Sequence, residues 1–500
     1  MTYNLYWGDL HSHCSISYGH GTVEQALARA RQQLDFCSIT GHAFWPDMPT
    51  DRSRYGEIID YHNEGFARLA RNWEELLRLQ REGTTEGEFL ALPSYEWHSL
   101  QYGDHNVYAP GPELALRDAA DLPALRKMAA ESGAIIIPHH IGYAAGYRGI
   151  DWRHFREERT PFVEILSLHG SSEGETSPYP MLHDMGPRDF GSTAEAGWAA
   201  GHRFGVIGST DHHAAYPGSH GDGRLGVFAE SLTRASLWEA LLARRVFAAT
   251  GDRIDARLLV DDAWIGSTIH APNQRRLRIH VRGSDRLDRV ELLKNGRVLR
   301  RFFADEPASQ SIDNQYRLRI TWGWGRKDLP VAWNAKLSLS DGAITDVESC
   351  FSGQAVAAPK GVAGHTAAAD EADLPHAVTE RTGNRVTWRS ITSGNPSLRQ
   401  STTQALSLGI EAPPHTTVIV EANNKRYEHT LAELLAGGRA HYQRGWLSEA
   451  IRIGPATPLS ACTVEAEFKD GPEAEVDRYY LRVAQSNGQW AWLSPIWAER

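Results

Sequence analysis

"GDLHSHCSISYGHG", residues 8–21, sets four coordinating side chains, Asp9, His11, His13 and His20, within fourteen positions. Packing alone rarely asks for so many in so short a run. The stretch completes an apolar, strand-like run over 5–11, so His11 and His13 fall at a strand end. Their i, i+2 spacing puts both side chains on one face wherever the backbone stays extended. The fold then turns on whether the same grammar recurs.

It does recur. Strand-like runs follow at 35–42, 89–97, 105–110, 134–140, 162–168, 204–212 and 225–229, several of them continuously apolar, as strands buried on both faces are. Helical patterns fall between them. Thr22 and Gln25 form a capping box ahead of Val23, Leu27, Ala30 and Leu34. Residues 54–81 read as one long amphipathic segment, and 121–132 begin at Asp121, carry Pro123 and stop before Gly133. Further helices are expected near 193–201 and 234–245. Repeated strand–helix units imply an α/β barrel or a doubly wound sheet. His42 ends the second strand, Glu96 the third, His139 and His140 the fifth, and Asp211 with His213 the seventh; His20 lies in the loop after the first. His105 instead opens its strand or closes the loop before it. A barrel gathers such strand ends at one mouth, and imidazoles with carboxylates there suit zinc, manganese or iron. Nine such residues, counting one of His139 and His140, exceed the needs of one ion, so two or three divalent ions are expected. Whether His139 or His140 is the ligand stays open.

The bulk composition sets the class. With 41% hydrophobic and 23% charged residues the 500-residue chain reads as an ordinary globular protein, long enough for two or three domains. A net charge of −10 argues against a dedicated nucleic-acid binder. Cys14, Cys37, Cys350 and Cys462 form no CxxC or disulfide framework, which suits a reducing compartment. No signal peptide and no run of roughly 18 apolar residues is visible, and the expected location is cytoplasmic. Of 23 histidines, sixteen lie before residue 221, which puts the chemistry in the first half.

After about residue 253 the pattern becomes all-β, with short strands and turn signals at Asn295-Gly296, Asp341-Gly342 and Asn487-Gly488. A sandwich-like domain over 254–500 is expected, following a first domain over 1–253. Within it, 430–436 reads as a short helix and 352–381 as a long flexible loop. Trp322, Trp324, Trp490 and Trp492 read as strand packing.

"GDLHSHCSISYGHG", "LDFCSITGHA", "LPSYEWHS", "IIIPHHIGY" and "GSTDHHA" together resemble the polymerase-and-histidinol-phosphatase (PHP) superfamily, in the branch where β-rich sequence follows. The resemblance implies a distorted barrel of seven βα units with metal ions at its C-terminal mouth. It implies a first ion on His11, His13, Glu96 and Asp211, a second on Glu96, His105 and His139, and a third on His20, His42 and His213. His20 stands where the superfamily often has Asp, and Gly41 replaces the Asp of the usual TDH.

The chemistry expected is hydrolysis of a small phosphorylated substrate by metal-bound hydroxide, since such ions lower the pKa of bound water from ~15.7 towards ~7. Asp211, His213 and His140 are the candidates for proton transfer. Arg148 and Arg224 are the candidate cations for free phosphate oxygens. A metal-dependent hydrolase of carboxyl esters or amides is the alternative, and a non-catalytic metal-containing binding protein a third reading. Glu164 is expected to line the mouth or pair with a basic neighbour, while His169, Ser172 and Glu173 follow its strand. Cys14 reads as packing.

Overall fold

The structure is a computed structural model and describes residues 3–182, 185–304, 314–326, 329–353, 376–394 and 402–500. The chain enters through β1 (Asn4–Asp9), whose inner end is buried. α1 (Val23–Ala30) opens with the expected capping box, Thr22 Oγ1 accepting from the Gln25 N–H and Gln25 Oε1 from the Thr22 N–H. The single strand expected over 35–42 is two, β2 (Phe36–Ser38) and β3 (Gly41–Phe44). It breaks where the Thr40 N–H turns to the Ser12 carbonyl, 2.9 Å away. The run at 89–97 likewise divides into β4 (Leu90–Leu92) and β5 (Ser94–Trp97) at Pro93, which has no N–H for a ladder. The long helical segment is α2 (Arg52–Arg71) and α3 (Trp73–Glu82), parted at Asn72.

β6 (His105–Tyr108), α4 (Leu122–Ser132), β7 (Ile135–Pro138), β8 (Phe162–Ser167), β9 (Gly170–Ser171), α5 (Ala194–Ala199), β10 (Gly205–Gly208), β11 (Arg224–Ala229), α6 (Arg234–Leu242) and β12 (Val246–Ala249) complete the first half. α4 starts on Asp121, which accepts from the Ala124 N–H, and ends on Gly133 at φ +70°.

A closed barrel of seven parallel strands is not what the pairing shows; the protein is a strand-rich mixed α/β molecule. β3-β5-β6-β7 form one sheet and β10-β8-β9 another, while β12-β11-β1-β2-β4 belong to a sheet of eleven strands. β1 runs antiparallel to β11, and β5, β6 and β7 form an antiparallel meander. For β5 and β6 the reason lies in the 98–104 connection. Parallel strands need a crossover of a dozen residues or more, so a link this short returns the chain antiparallel.

The eleven-stranded sheet also crosses between the halves. β12 pairs with Trp490–Leu493, which pairs with Val476–Gln485. The expected boundary at 253 falls just after β12, yet the apolar packing runs through it. Trp198, Phe204 and Val206 share a core with Tyr480, Trp492 and Trp497, and Trp7 and Phe247 share another with Leu258 and Leu481. Beyond these, two five-stranded sheets enclose a separate core built on Leu318, Ile320, Trp322, Trp333, Trp388, Leu408 and Val420, a face-to-face sandwich. Trp322 and Trp492 are buried as expected, whereas Trp324 is 41% exposed. The short helix is present at Leu431–Leu435 behind a Thr430–Glu433 capping box. Of the loop expected over 352–381, Ala377–Arg381 is a strand. It forms a hairpin with Arg385–Thr392, and the Thr382 N–H bonds the Arg385 carbonyl (2.8 Å) across the turn. Residues 354–375 lie outside the described residues.

Candidate metal centre

Asp9, first of the four coordinating side chains in residues 8–21, serves the backbone. Its Oδ1 accepts from the N–H groups of His11 (3.0 Å) and Thr210 (3.1 Å), and its Oδ2 from Thr210 Oγ1 (2.5 Å) and the Gly218 N–H (2.8 Å). One carboxylate thus ties the loop after β1 to the loop after β10. Main-chain bonds extend the join. Asp211 N–H reaches the His11 carbonyl (2.7 Å), His13 N–H the His212 carbonyl (2.9 Å) and His20 N–H the His213 carbonyl (2.7 Å). Asp211 and His140 hold positive φ, +54° and +34°, a region uncommon for residues other than glycine.

The strands supply the rest. β3 and β5 are parallel with His42 beside Glu96 in register, so both side chains leave the same face. On β6, Asn106 stands opposite Glu96 and His105 opposite Trp97. The two-residue period therefore sends His105 to the Trp97 face, where its Nδ1 lies 2.9 Å from the Gly103 carbonyl oxygen. The 98–104 connection delivers His98 and Asp104, and His139 and His140 follow β7.

Four interlocking donor groups result: His11, His13 and Asp211; His13, His42 and His213; His42, Glu96 and His98; and Glu96, Asp104, His139 and His140. His13 Nε2 lies 3.0 Å from both His11 Nε2 and Asp211 Oδ1, with His11 Nε2 3.3 Å from the same oxygen. Glu96 Oε1 is 2.9 Å from His139 Nε2, and its Oε2 is 2.7 Å from His42 Nδ1 and 3.5 Å from His13 Nε2. One carboxylate is therefore shared between groups.

Behind the donors, His11 Nδ1 lies 2.9 Å from Glu164 Oε2; Tyr18 Oη lies 2.8 Å from His42 Nδ1, the nitrogen that also faces Glu96. His169 Nε2 sits 3.1 Å from Asp211 Oδ2, with Tyr143 Oη 2.8 Å from its Nδ1. Arg148 pairs with Asp104, donating from both Nε and Nη2, and lies over the Trp45 ring. Most of these side chains are buried; His213 at 24%, Arg148 at 15% and His169 at 10% exposure mark the side open to solvent.

At His42, His139 and His213 the electrostatics favour donors over proton carriers, and at His11 the reverse. Burial pushes His42 and His139 well below the ordinary histidine value, and His213 down to about 3. At His11, burial opposes the charge but Asp211 and Glu164 outweigh it, lifting the group to about 10. Burial resists charge on Asp211 as well, yet His11, with hydrogen bonds from His13 and His169, holds it well below the carboxylate range. Burial carries Glu164 up to about 7 against the pull of His11. Arg148 and His98 keep Asp104 low despite its burial. Neutral imidazoles beside ionised carboxylates are the forms that bind metal, so His11 would release its proton as an ion entered.

The residues fit divalent cations on geometric grounds too. Glu96 Oε2 has no hydrogen-bond partner although His42 Nδ1 is only 2.7 Å away. The two atoms approach without being aligned, as ligands facing a common ion do. An unsatisfied buried carboxylate oxygen costs about 1–3 kcal/mol or more, a cost that a cation among these donors would offset.

Of the residues expected at the site, His11, His13, His42, Glu96, His139, Asp211 and His213 come together, and His140 joins them. His20 is buried and braces the His213 loop through its backbone, and neither it nor His105 belongs to any of the groups found among the described residues. Arg148 reaches the site through Asp104. Arg224 opens β11 fully buried, its guanidinium on the Gly218 carbonyl (3.0 and 2.8 Å) and Gln33 Oε1 (2.8 Å). His98 and Asp104 escaped sequence reasoning. The i, i+2 spacing of Glu96 and His98 in "EWH", like that of His11 and His13, was the available signal.

No family model matches the chain. It aligns at 31% identity over 190 residues with an uncharacterised protein of Chlamydia pneumoniae, covering 35% of this chain and 30% of that protein. An uncharacterised protein of Chlamydia muridarum aligns at 27% over 330 residues, covering 60% and 49%. The chain thus spans between 30% and 49% of the length of these curated relatives. Among solved structures, a two-domain protein of Bacteroides vulgatus, described as containing a "predicted PHP-like metal-dependent phosphoesterase", matches with a TM-score of 0.33 and 13% identity over 86% of this chain and 95% of that one. A likeness that loose fixes neither fold nor function.

Proposed function

We propose that the first half, residues 1–253, is a metal-dependent hydrolase that cleaves a phosphate ester of a small molecule, using two or three zinc, manganese or iron ions. The observation that carries this reading is Glu96, whose two oxygens face different imidazoles and serve two donor groups at once. A structural ion needs one closed set of ligands, whereas linked sets sharing a carboxylate suit a hydrolytic centre. His11, His13, His42, Glu96, His98, Asp104, His139, His140, Asp211 and His213 would hold the ions. When bound, such ions activate water and neutralise charge on the attacked group.

The chain's own residues shape what enters. Arg148 places a guanidinium at the solvent side, suited to the oxygens of a phosphate. His169, 10% exposed, links Asp211 to the buried Tyr143 in a carboxylate–imidazole–phenol chain able to pass a proton, and His213 and His140 flank it. Glu164 holds His11 by its far nitrogen, fixing the ring. We read the sheets around the site as an opened form of the PHP-type barrel, in line with the five sequence motifs. The chain's net charge of −10 disfavours nucleic acid as substrate.

The test is metal content by mass spectrometry, followed by aryl phosphate monoesters, diesters and carboxyl esters in the presence of manganese, zinc or iron. Phosphate release lost in His11→Ala and Asp211→Asn is expected. Turnover of carboxyl esters alone would move the bond to an acyl centre, and a protein that takes up no metal would overturn the reading.

A further inference from the structure

The run that leaves the strand Ala343–Cys350 lies along the loop that carries Asp211 and His213. The Phe351 carbonyl accepts from the His220 N–H (2.9 Å), Ser352 Oγ donates to the His220 carbonyl (2.9 Å), and the Gly353 N–H donates to Ser219 Oγ (3.0 Å). Gln404, on the strand Thr403–Glu411, fixes the run from behind. It accepts from the Ser352 N–H (2.8 Å) and donates to the Ser352 carbonyl (3.0 Å).

Gly353 then meets His212. A Cβ at this position would lie 2.6 Å from both Cε1 and Nε2 of the imidazole and 2.7 Å from the Tyr216 Cβ. Carbon atoms do not approach that closely, so any other residue here must move its neighbours. His212 is poorly placed to yield alone. Its Nδ1 accepts from the Ala214 N–H (3.1 Å), its N–H donates to Thr210 Oγ1 (3.2 Å), and its carbonyl accepts from the His13 N–H (2.9 Å). It also stands between Asp211 and His213 in the chain. A push on this ring is therefore a push on donors from both ligand loops.

We propose that the β-rich half is a positioning module for the metal-ligand loops, acting through the contact of Gly353 with His212. The proposal rests on the metal-centre reading above. Gly353 is a positioning residue: it touches no donor atom, and its part is to leave room for a ring that holds the loop in place.

The test uses the full chain, with cobalt(II) alone as probe, read by visible absorption and by bound equivalents, and with near-ultraviolet circular dichroism to report folding. Gly353→Val should weaken cobalt binding by about 10- to 100-fold, the usual cost of disturbing groups that orient metal ligands, and should shift the cobalt spectrum. Gly383→Ala, on the same half with nothing within 4 Å of the added carbon, should change neither. Gln404→Ala releases the run without crowding His212. Read in every case, and decisive if the valine variant does not fold, it should shift the cobalt spectrum in a folded protein. A wild-type chain that binds no cobalt overturns the metal-centre reading. A wild-type chain that binds cobalt, beside folded variants with unchanged affinity and spectrum, overturns the positioning role alone.

Discussion

Asp9→Asn isolates the join between the two ligand loops, because it removes a charge and one acceptor while conserving shape. Asp9 accepts four hydrogen bonds, two on each oxygen, from His11, Thr210 and Gly218. An asparagine keeps one oxygen. Placed at Oδ1, that oxygen retains the His11 and Thr210 N–H groups, and the new NH2 faces Thr210 Oγ1 and the Gly218 N–H. The hydroxyl can rotate to accept; the Gly218 N–H has no such freedom. The opposite orientation strands two backbone donors, so the first is favoured. What is lost is one charge-assisted bond, the satisfaction of one buried N–H and the charge on the remaining bonds, together about 2–4 kcal/mol. Urea unfolding of metal-stripped wild type and variant, followed by far-ultraviolet circular dichroism, gives the difference in the transition that includes the first half. Cobalt affinity should fall in parallel, because the loops being untied carry His11, His13, Asp211 and His213. A stability change within about 0.5 kcal/mol, the range of an ordinary surface substitution, together with unchanged cobalt affinity, would refute the claim that this carboxylate holds the loops together.

His98→Ala should lower the number of metal equivalents bound, whereas His105→Ala should leave that number unchanged because its ring is on the Trp97 side; mass spectrometry of the purified variants reads both, and a reversed pattern rejects the strand register. Away from the site, burial depresses His220 to about 4 and His376 to about 3 from an ordinary value of 6.5. At these two positions the unfolded chain binds protons that the folded one refuses, so their contribution to stability is intact above about pH 6.5 and declines as pH falls towards 4. Thermal midpoints across that range should drop, and less steeply in His376→Gln. The four cysteines are buried, and burial lifts every thiol, Cys14 and Cys462 to about 12. A thiol reagent at neutral pH should label the protein only as fast as it unfolds.

Much of the candidate site was legible because ligands at strand ends announce themselves locally. The run of residues 8–21, His42 after an apolar stretch, Glu96 in "YEW" and Asp211 in "TDHH" could be recognised one at a time, and the fold brings them together. What was hidden depends on direction and face. The 98–104 link is too short for a crossover, but nothing in the apolar periodicity of 89–110 says that its strands are antiparallel. That reversal carries Asp104 and His98 inward and leaves His105 facing Trp97. Arg224 misled for a related reason. The strand at its position begins one residue earlier than the apolar run suggests, so a residue expected in a loop is buried, its charge balanced by carbonyl dipoles. The alternation of the β-rich half identified strands without identifying partners, and the pairing of β12 with Trp490–Leu493 has no local signature at all.

That last pairing has a consequence for biosynthesis. The Thr250 N–H at the end of β12 bonds the Trp490 carbonyl, 240 positions later in the chain. A ribosome extends a polypeptide at about 5–20 residues per second, so the apolar edge of Val246, Phe247, Ala248 and Ala249 waits on the order of ten seconds or more for the segment that covers it. Throughout that interval the nascent chain presents a strand with one unpaired edge, of the kind that seeds association. Chaperone occupancy during translation, and a yield that improves when elongation is fast relative to collision between chains, are the expected signature of a molecule whose early part is closed by its late one.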